Sequence, residues 1–361
     1  MKKNIFIVFI AILAACSTQN DVINTISGYD TPIGLNGSEV PYSKIDIVVL
    51  DSLLEMPKKL VATEQYNFVQ TKKQVLCYDK NGHLLSRIGQ EGHGANEYIN
   101  LATFYLDAND MLVIVDSYMG KLLKYTYDGK LVECTSVRDE ILADVQTANM
   151  INKDSLWLNN YIFNKKNNIY DILSIKSGDI THVASVALQS NSTKEPIGTH
   201  PCSYYKYRLI YIKPFDDRIY DKEGNVLYQI LTNKKVYSDK NLKEINDYNI
   251  MTYVNALNKG YFAGFTDLFE TDRYILAACK NFDYILLDKQ KLTCSHQSYA
   301  IEQNLEYFPL LNIMASSDNK LLGIIDTNIL SRVKKYNQKN STLKELMGLP
   351  KNSMILVSYS F

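Results

Sequence analysis

The sequence lacks the patterns that usually reveal an enzyme's chemistry. Its five histidines are scattered, and none of them forms an HxH or HExxH spacing. Without such a pair, the sequence offers no local motif for a metal site. It also has no GxSxG motif, so a strand-to-helix nucleophile elbow has no support. We therefore assign no catalytic residue, no metal and no cofactor.

The chain has no excess of either charge. It carries 39 basic and 39 acidic residues among 361. Proteins that hold nucleic acid need a basic surface to neutralise phosphates. We therefore do not expect a nucleic-acid partner.

The cysteines do not form a recognisable framework. Five remain after Cys16, their number is odd, and no CxxC occurs. This pattern argues against both a disulfide scaffold and a zinc knuckle. Cys279 and Cys294 flank a predicted hairpin, and the sequence leaves open whether these two pair. The others are Cys77, Cys134 and Cys202.

The N-terminus is typical of a bacterial lipoprotein. Two lysines precede an apolar run of 11 residues, 5–15, which is too short to span a bilayer but suits a signal peptide. The run ends in Leu13-Ala14-Ala15-Cys16, which resembles a lipobox; the alternative is a plain secretory leader with a chance cysteine. We predict a signal peptide over residues 1–15, an acylated Cys16, and a polar, flexible tether over 16–40. Acyl chains on one cysteine would anchor the protein to a membrane.

Residues 41–361 are organised by a repeating turn. Gly or Asn, or in one repeat Lys, recurs at positions 82, 129, 178, 224, 291 and 340, at intervals of 47, 49, 46, 67 and 49 residues. Glycine and asparagine suit such positions because tight hairpins need a positive φ. A period of 40–50 residues with several short strands is typical of a β-propeller. The sequence therefore predicts an all-β, six-bladed propeller.

Two further segments refine this fold. The apolar stretches 45–50 and 354–361 lie near the two ends of the domain, and we expect them to meet in one closing blade because an open ring would expose sheet edges. The long interval contains a helical stripe over residues 238–260, bounded by a capping Ser or Asp and by Gly260. We predict a short helical insertion there, either as a packed decoration or as a lid or docking element.

One stretch occurs only once. Residues 87–98 read RIGQEGHGANEY. The three glycines do not fit the nucleotide-binding spacing GxGxxG, and they favour a sharp corner between two blades. Glu97 could pin that corner by accepting hydrogen bonds from the backbone or from Arg87. The alternative is that His93, Glu97 and Tyr98 reach the mouth of a central channel.

With these motifs the chain resembles the six-bladed β-propeller lipoproteins common in Bacteroides-type bacteria, which are similar to NHL and TolB propellers. In that family the corner reads close to IGxxGxGPGEY, and Ala95-Asn96 replaces the usual Pro-Gly here. Segments 214–220, 269–274 and 352–357 also match. The resemblance implies the propeller fold and an outer-membrane lipoprotein, on the periplasmic side or at the cell surface. It implies no activity.

Candidate ligand residues follow from the expected channel mouth, where loops of all blades converge. Polar residues near predicted inner strands form this set, and Arg218 and Arg273 could hold a carboxylate or sugar hydroxyls. Ion pairs between blades are the alternative role. The set consists of Glu97, Tyr98, Asp116, Asp217, Arg218, Asp272 and Arg273, with Asp267 as a further polar residue nearby.

Two functions remain open. The first is a non-catalytic binding or scaffold module for a glycan, a peptide or an envelope protein. The second is a propeller enzyme, a lyase or a glycan hydrolase, with its site at the channel mouth. The second would need at least three acids or histidines from different blades to converge.

Overall fold

The structure, a computed structural model, describes residues 23–29, 42–53, 55–160, 168–186, 198–206, 208–245, 249–280, 283–297, 308–334 and 345–361. Within these ranges the chain forms six small antiparallel sheets that are the blades of a propeller. The first two strands are β1 (Asn24–Ile26) and β2 (Lys44–Leu50). Both pair with strands that come much later in the chain.

Blades 1 to 3 each use four consecutive strands, of which the first lies innermost. Blade 1 consists of β3 (Lys59–Ala62), β4 (Asn67–Gln70), β5 (Val75–Tyr78) and β6 (Leu84–Ile88). Blade 2 consists of β7 (Leu101–Leu106), β8 (Leu112–Asp116), β9 (Lys121–Tyr125) and β10 (Leu131–Ser136). After helix α1 (Asp139–Leu142), blade 3 consists of β11 (Val145–Asn152), β12 (Ser155–Asn160), β13 (Asn168–Ser174) and β14 (Ile180–Ser185).

Blades 4 to 6 depart from this plan in small ways. Blade 4 consists of β15 (Cys202–Tyr205), β16 (Arg208–Ile212), β17 (Arg218–Asp221) and β18 (Val226–Ile230), with β1 added in parallel to β18. Helices α2 (Asp239–Leu242) and α3 (Ile250–Asn258) precede blade 5, which consists of β19 (Asp267–Glu270), β20 (Tyr274–Lys280), β21 (Asp283–Asp288) and β22 (Thr293–Gln297). Blade 6 consists of β23 (Ile313–Ser317), β24 (Lys320–Asp326) and β25 (Met354–Ser360), and β2 completes it. Helix α4 (Thr327–Lys334) follows β24 in the chain.

The repeated turns form for the reason that the sequence suggests. In blade 1, Gly82 has a φ of +88°. The Asp79 carboxylate accepts hydrogen bonds from the backbone N–H groups of Asn81 and His83, both at 2.9 Å. Glycine tolerates this left-handed conformation at no steric cost, and the aspartate satisfies the turn's donors. Gly129 and Gly224 adopt the same positive φ in blades 2 and 4.

The core is divided among the blade interfaces. Each of six buried apolar clusters fills the space between two neighbouring blades, including the pair formed by blade 6 and blade 1. Between blades 3 and 4, Trp157 packs against Tyr170 and Tyr211, with ring centroids 5.2 and 5.4 Å away. Because every blade buries both faces against its neighbours, each blade depends on the next for its stability.

The predicted closure of the ring is confirmed. β2 pairs with β25 along its whole length, from Lys44 opposite Ser360 to Leu50 opposite Met354. Blade 6 therefore takes its fourth strand from the N-terminus and needs no hairpin after its third strand. Asn340 lies outside the described residues.

Two predicted segments differ from the structure. Residues 24–26, inside the predicted tether, pair with β18, because Asn24 to Ile26 align with Tyr228 to Ile230 and complete that edge. The predicted helix over 238–260 is instead two short helices, and the second begins at the Asn249 cap, whose side chain accepts from the N–H groups of Met251 and Thr252. Gly260 does end it, with a φ of +76°.

Cys279 and Cys294 are too far apart to form a disulfide. They lie on β20 and β22, which flank β21 on opposite sides. Two strands separated by a third are about 9–10 Å apart. A disulfide needs Cα atoms within about 7 Å.

Candidate functional site

Two cavities lie along the middle of the ring, one towards each end. The upper cavity, at the end where the six inner strands begin, has a volume of about 900 Å³. The lower cavity, at the end where these strands finish, measures about 680 Å³. All six blades contribute walls to each cavity. Both volumes lie within the range of known small-ligand pockets.

The two cavities meet at a narrow waist. Four residues of the described chain line both cavities: Lys59, Thr147, His200 and Met314. They come from the inner wall of blades 1, 3, 4 and 6. The waist is therefore built by opposite sides of the ring, and any molecule entering the upper cavity would meet these side chains at its floor.

Lys59 is a buried cation without a carboxylate partner. It is 6% exposed. Its Nζ donates to the carbonyl oxygens of Phe104 at 2.7 Å and Ala148 at 3.1 Å, and to Thr103 Oγ1 at 3.4 Å. Among the described residues, no Asp or Glu forms an ion pair with it. Burial lowers its pKa from 10.5 to about 8, and the nearby Cys202 opposes this shift weakly.

His200 lies opposite, in a compact polar group with Thr199 and Asp267. Thr199 Oγ1 is 2.7 Å from His200 Nδ1, and Asp267 Oδ1 is 3.6 Å from that same nitrogen. Asp267 Oδ1 also accepts from the backbone N–H groups of Thr199 at 2.7 Å and His200 at 2.6 Å. Burial alone would raise the pKa of Asp267, but the His200 contacts and these N–H donors hold it below its usual value.

This group does not have the geometry of a catalytic triad. A triad needs the carboxylate on one ring nitrogen and the nucleophile on the other. Here both partners contact Nδ1, while Nε2 is buried and has no hydrogen-bond partner among the described residues. The arrangement fixes the orientation of the imidazole ring.

The rest of the upper wall is mostly neutral. Apolar residues share it with amide and hydroxyl side chains, which are Gln70, Asn100, Thr103, Ser117, Gln146, Thr147, Thr199, Thr266 and Asn312. Several are held in place, since Gln146 donates to the Gly198 carbonyl and accepts from Asn159, both at 2.9 Å. Asp144 lines the mouth on the turn before β11, and burial raises its pKa. The wall can therefore offer both donors and acceptors to a polar ligand.

The glycine corner serves architecture. It links β6 to β7, and Gly89 has a φ of +83° with its α-carbon against the Tyr98 ring. The Glu97 carboxylate accepts a hydrogen bond from the Gly94 N–H at 2.8 Å, so it pins the corner through the backbone. This is one of the two roles that the sequence suggested for Glu97. Tyr98 is buried, and its hydroxyl donates to the Lys73 carbonyl.

Asp116 acts on the channel only through the backbone. It is fully buried at the end of β8. Its carboxylate accepts from the N–H groups of Ile99, Asn100, Tyr118 and Met119 at 3.0 to 3.2 Å. It thereby fixes two rim loops, one bearing the cavity residue Asn100 and the other the 68% exposed Tyr118.

Asp217 and Arg218 have partners within blade 4. Arg218 forms a bidentate pair with Asp216, at 2.8 and 2.9 Å. Asp217 accepts from Gln229 at 3.2 Å, and burial raises its pKa. Arg218 thus forms an ion pair, but inside blade 4 and not between blades.

Asp272 and Arg273 lie at the other end of the ring, on the turn between the first and second strands of blade 5. Asp272 pairs with Lys206 at 2.5 Å, and Arg273 pairs with Asp288 at 2.7 Å. The candidate residues are thus divided between the two ends and cannot form one site. Within the described chain, none of the seven lines either cavity, whereas Asp267 does.

The sequence reasoning missed Lys59, Gln146 and Thr147. Lys59 stands beside another lysine, directly before the apolar residues 60–62, and no local pattern distinguishes the buried lysine from the exposed one. Among the described residues, no group of three His, Cys, Asp or Glu side chains could hold a metal ion. Nor does this part of the chain contain a helix that is both long and apolar enough to cross a bilayer.

Comparisons with known proteins place the fold but not the ligand. A search of curated proteins found no match. A putative exported protein from Bacteroides fragilis NCTC 9343 has a similar structure, with a TM-score of 0.65 at 15% identity, covering 94% of this chain and 99% of that one. A DUF4221 family member from Bacteroides vulgatus ATCC 8482 gives a TM-score of 0.53 at 12% identity, covering 89% and 96%.

At these identities the likeness concerns the fold alone. A catalytically inactive virginiamycin B lyase from Staphylococcus aureus is more distant, with a TM-score of 0.44 at 10% identity over 87% of this chain and 99% of that one, and it carries no argument about activity. The family model described as "Domain of unknown function (DUF4934)" matches residues 20–353. The chain therefore belongs to the DUF4934 family, and it folds as a six-bladed β-propeller.

Proposed function

We propose that this protein is a non-catalytic binding module of the cell envelope that holds a glycan, a peptide or a segment of a protein partner in its upper cavity. The observation that carries the proposal is the upper cavity itself, about 900 Å³ in volume and walled by all six blades. Its lining combines amide and hydroxyl side chains with apolar ones, and several of the polar groups are held by hydrogen bonds, which suits recognition of a polar ligand. The exposed Tyr118 on its rim offers an aromatic surface for a ring or side chain of that ligand.

The anchoring part of the proposal rests on the sequence. The apolar leader and the Leu-Ala-Ala-Cys segment support acylation of Cys16 and an outer-membrane location. The structural neighbour described as a putative exported protein is consistent with transport out of the cytoplasm.

Acylation can be tested with the full chain in a Gram-negative host. Radiolabelled palmitate should enter the wild-type protein, and the protein should sediment with membranes. The C16S variant should lose both the label and the membrane association, because no thiol remains to carry the lipid. Equal labelling of the two proteins would contradict a lipid anchor at this residue.

Ligand binding can be tested with the chain from residue 21 on glycan and peptide arrays. A large side chain can be placed at two matched positions. Ala143 is exposed at the mouth of the upper cavity, and Ala108 is exposed at the lower cavity. We expect A143W to reduce retention of the array ligand at least tenfold by filling the mouth. A108W should leave retention unchanged.

The opposite pattern would move the site to the lower cavity and contradict the proposal. Retention that survives both substitutions would show that the partner binds outside the channel. Circular dichroism of both variants controls for folding. Turnover of an array ligand would instead favour the propeller-enzyme alternative.

A further inference from the structure

Lys59 differs in its partners from two other lysines of the ring. Lys289 faces Glu270 at 2.8 Å, and Lys124 faces Asp107 at 3.2 Å. Lys59 is more buried than these, yet its Nζ contacts three neutral oxygens and lies 5.5 Å from the centroid of the Phe104 ring, with no carboxylate partner among the described residues. A buried charge without a counter-charge is costly, so a compensating anion gains more there than at the surface.

The position of Lys59 makes such compensation possible. It lines the floor of the upper cavity and the roof of the lower one. The weakest of its three contacts, Thr103 Oγ1 at 3.4 Å, belongs to a residue that also lines the upper cavity. An incoming anion could replace this contact and accept from both the ammonium group and the Thr103 hydroxyl.

The acidic groups of the same cavity do not serve as this counter-charge. Asp267 is held by Thr199 and by His200, on the other side of the ring. Asp144 sits at the mouth, partly buried, where burial works against its charged form. The exposed Lys58 adds a second positive charge near the mouth.

We infer that the upper cavity takes a carboxylate-bearing group of its ligand at its floor, where Lys59 Nζ and Thr103 Oγ1 donate to the carboxylate. This inference rests on the proposed function, because it names the ligand group that the same cavity recognises. The carboxylate could belong to a sugar acid or to a peptide C-terminus. Both share the planar anion that the site would hold.

Paired probes separate these sources and isolate the charge. Calorimetric titration would compare D-glucuronate with D-glucose, and acetyl-Ala-Ala with its C-terminal amide. We expect the acid of at least one pair to bind at least tenfold more tightly than its neutral twin. The pair that shows the difference identifies the source of the carboxylate.

Variants then assign the effect to the floor. K59M should abolish the preference for the acid, and T103V, which keeps the shape and removes the hydroxyl, should reduce it several-fold. K72M changes an exposed lysine between β4 and β5 that lines neither cavity, and it should leave the preference unchanged. Because the acid–neutral comparison is made first in the wild-type protein, it remains decisive even if K59M folds poorly.

Three results would each overturn the inference. The acid and its neutral twin bind equally, neither acid binds at 50 mM, or the preference for the acid survives K59M. These results would leave the proposed function standing if A143W still removed array binding. Loss of the proposed function would instead appear as array binding that ignores A143W.

Discussion

We expect the wild-type protein to gain stability relative to the K59M variant between pH 8 and pH 10.5. Burial lowers the pKa of Lys59 in the folded protein to about 8, against 10.5 for an ordinary lysine. Between these values the unfolded chain holds a proton that the folded protein has released, so the free energy of unfolding rises with pH. The difference of about 2.5 pH units corresponds to about 3 kcal/mol.

Below pH 8 the lysine is charged in both states, and its burial penalty is fully present. Urea unfolding of wild type and K59M at pH 7, 8, 9 and 10 measures the effect as a difference, so other titrating groups, such as the buried tyrosines, cancel. K58M, which alters the exposed neighbour, should keep the wild-type rise. A constant wild-type minus K59M difference across this range would mean that Lys59 is not a buried ammonium group at neutral pH.

The second large effect concerns ring closure. A chain beginning at Ser43 keeps β2, whereas one beginning at Asp51 lacks it. Without β2, the edge of β25 loses its partner from Met354 to Ser360 and blade 6 is incomplete. Because the blades stabilise one another around the ring, we expect the shorter chain to lose a free energy comparable with the whole stability of a domain, about 5–15 kcal/mol.

Guanidinium unfolding followed by circular dichroism and tyrosine fluorescence tests this expectation. The chain from Ser43 should unfold in one cooperative transition, with at most a modest loss from the absence of β1. The chain from Asp51 should show no cooperative transition, or should aggregate. A cooperative transition of the Asp51 chain at the same midpoint would contradict closure by β2.

The fold could be predicted from the sequence because the residues that mark its turns and strands form local patterns. Gly82, Gly129 and Gly224 occupy turns that need positive φ, and their spacing counts the blades. The closing strands were found because β2 and β25 are apolar and lie at opposite ends of the domain. The helical insertion was only partly correct, since its apolar stripe does not reveal that the helix restarts at Asn249.

The residues of the candidate site could not be predicted in the same way. Asp116, Asp217 and Arg273 were selected because charged residues near inner strands can face a channel. In the structure these side chains are satisfied nearby, by backbone N–H groups, Gln229 and Asp288 respectively. Lys59 faces the channel because β3, β7 and β11 come together around the ring, and only the tertiary structure brings it near Phe104 and Ala148.

A crystal structure of the chain with a ligand retained on the arrays tests the central claim most directly. We predict ligand density in the upper cavity, in contact with walls from several blades and reaching the waist at Lys59 and His200. Density on the outer surface of the blades, or only in the lower cavity, would contradict the account.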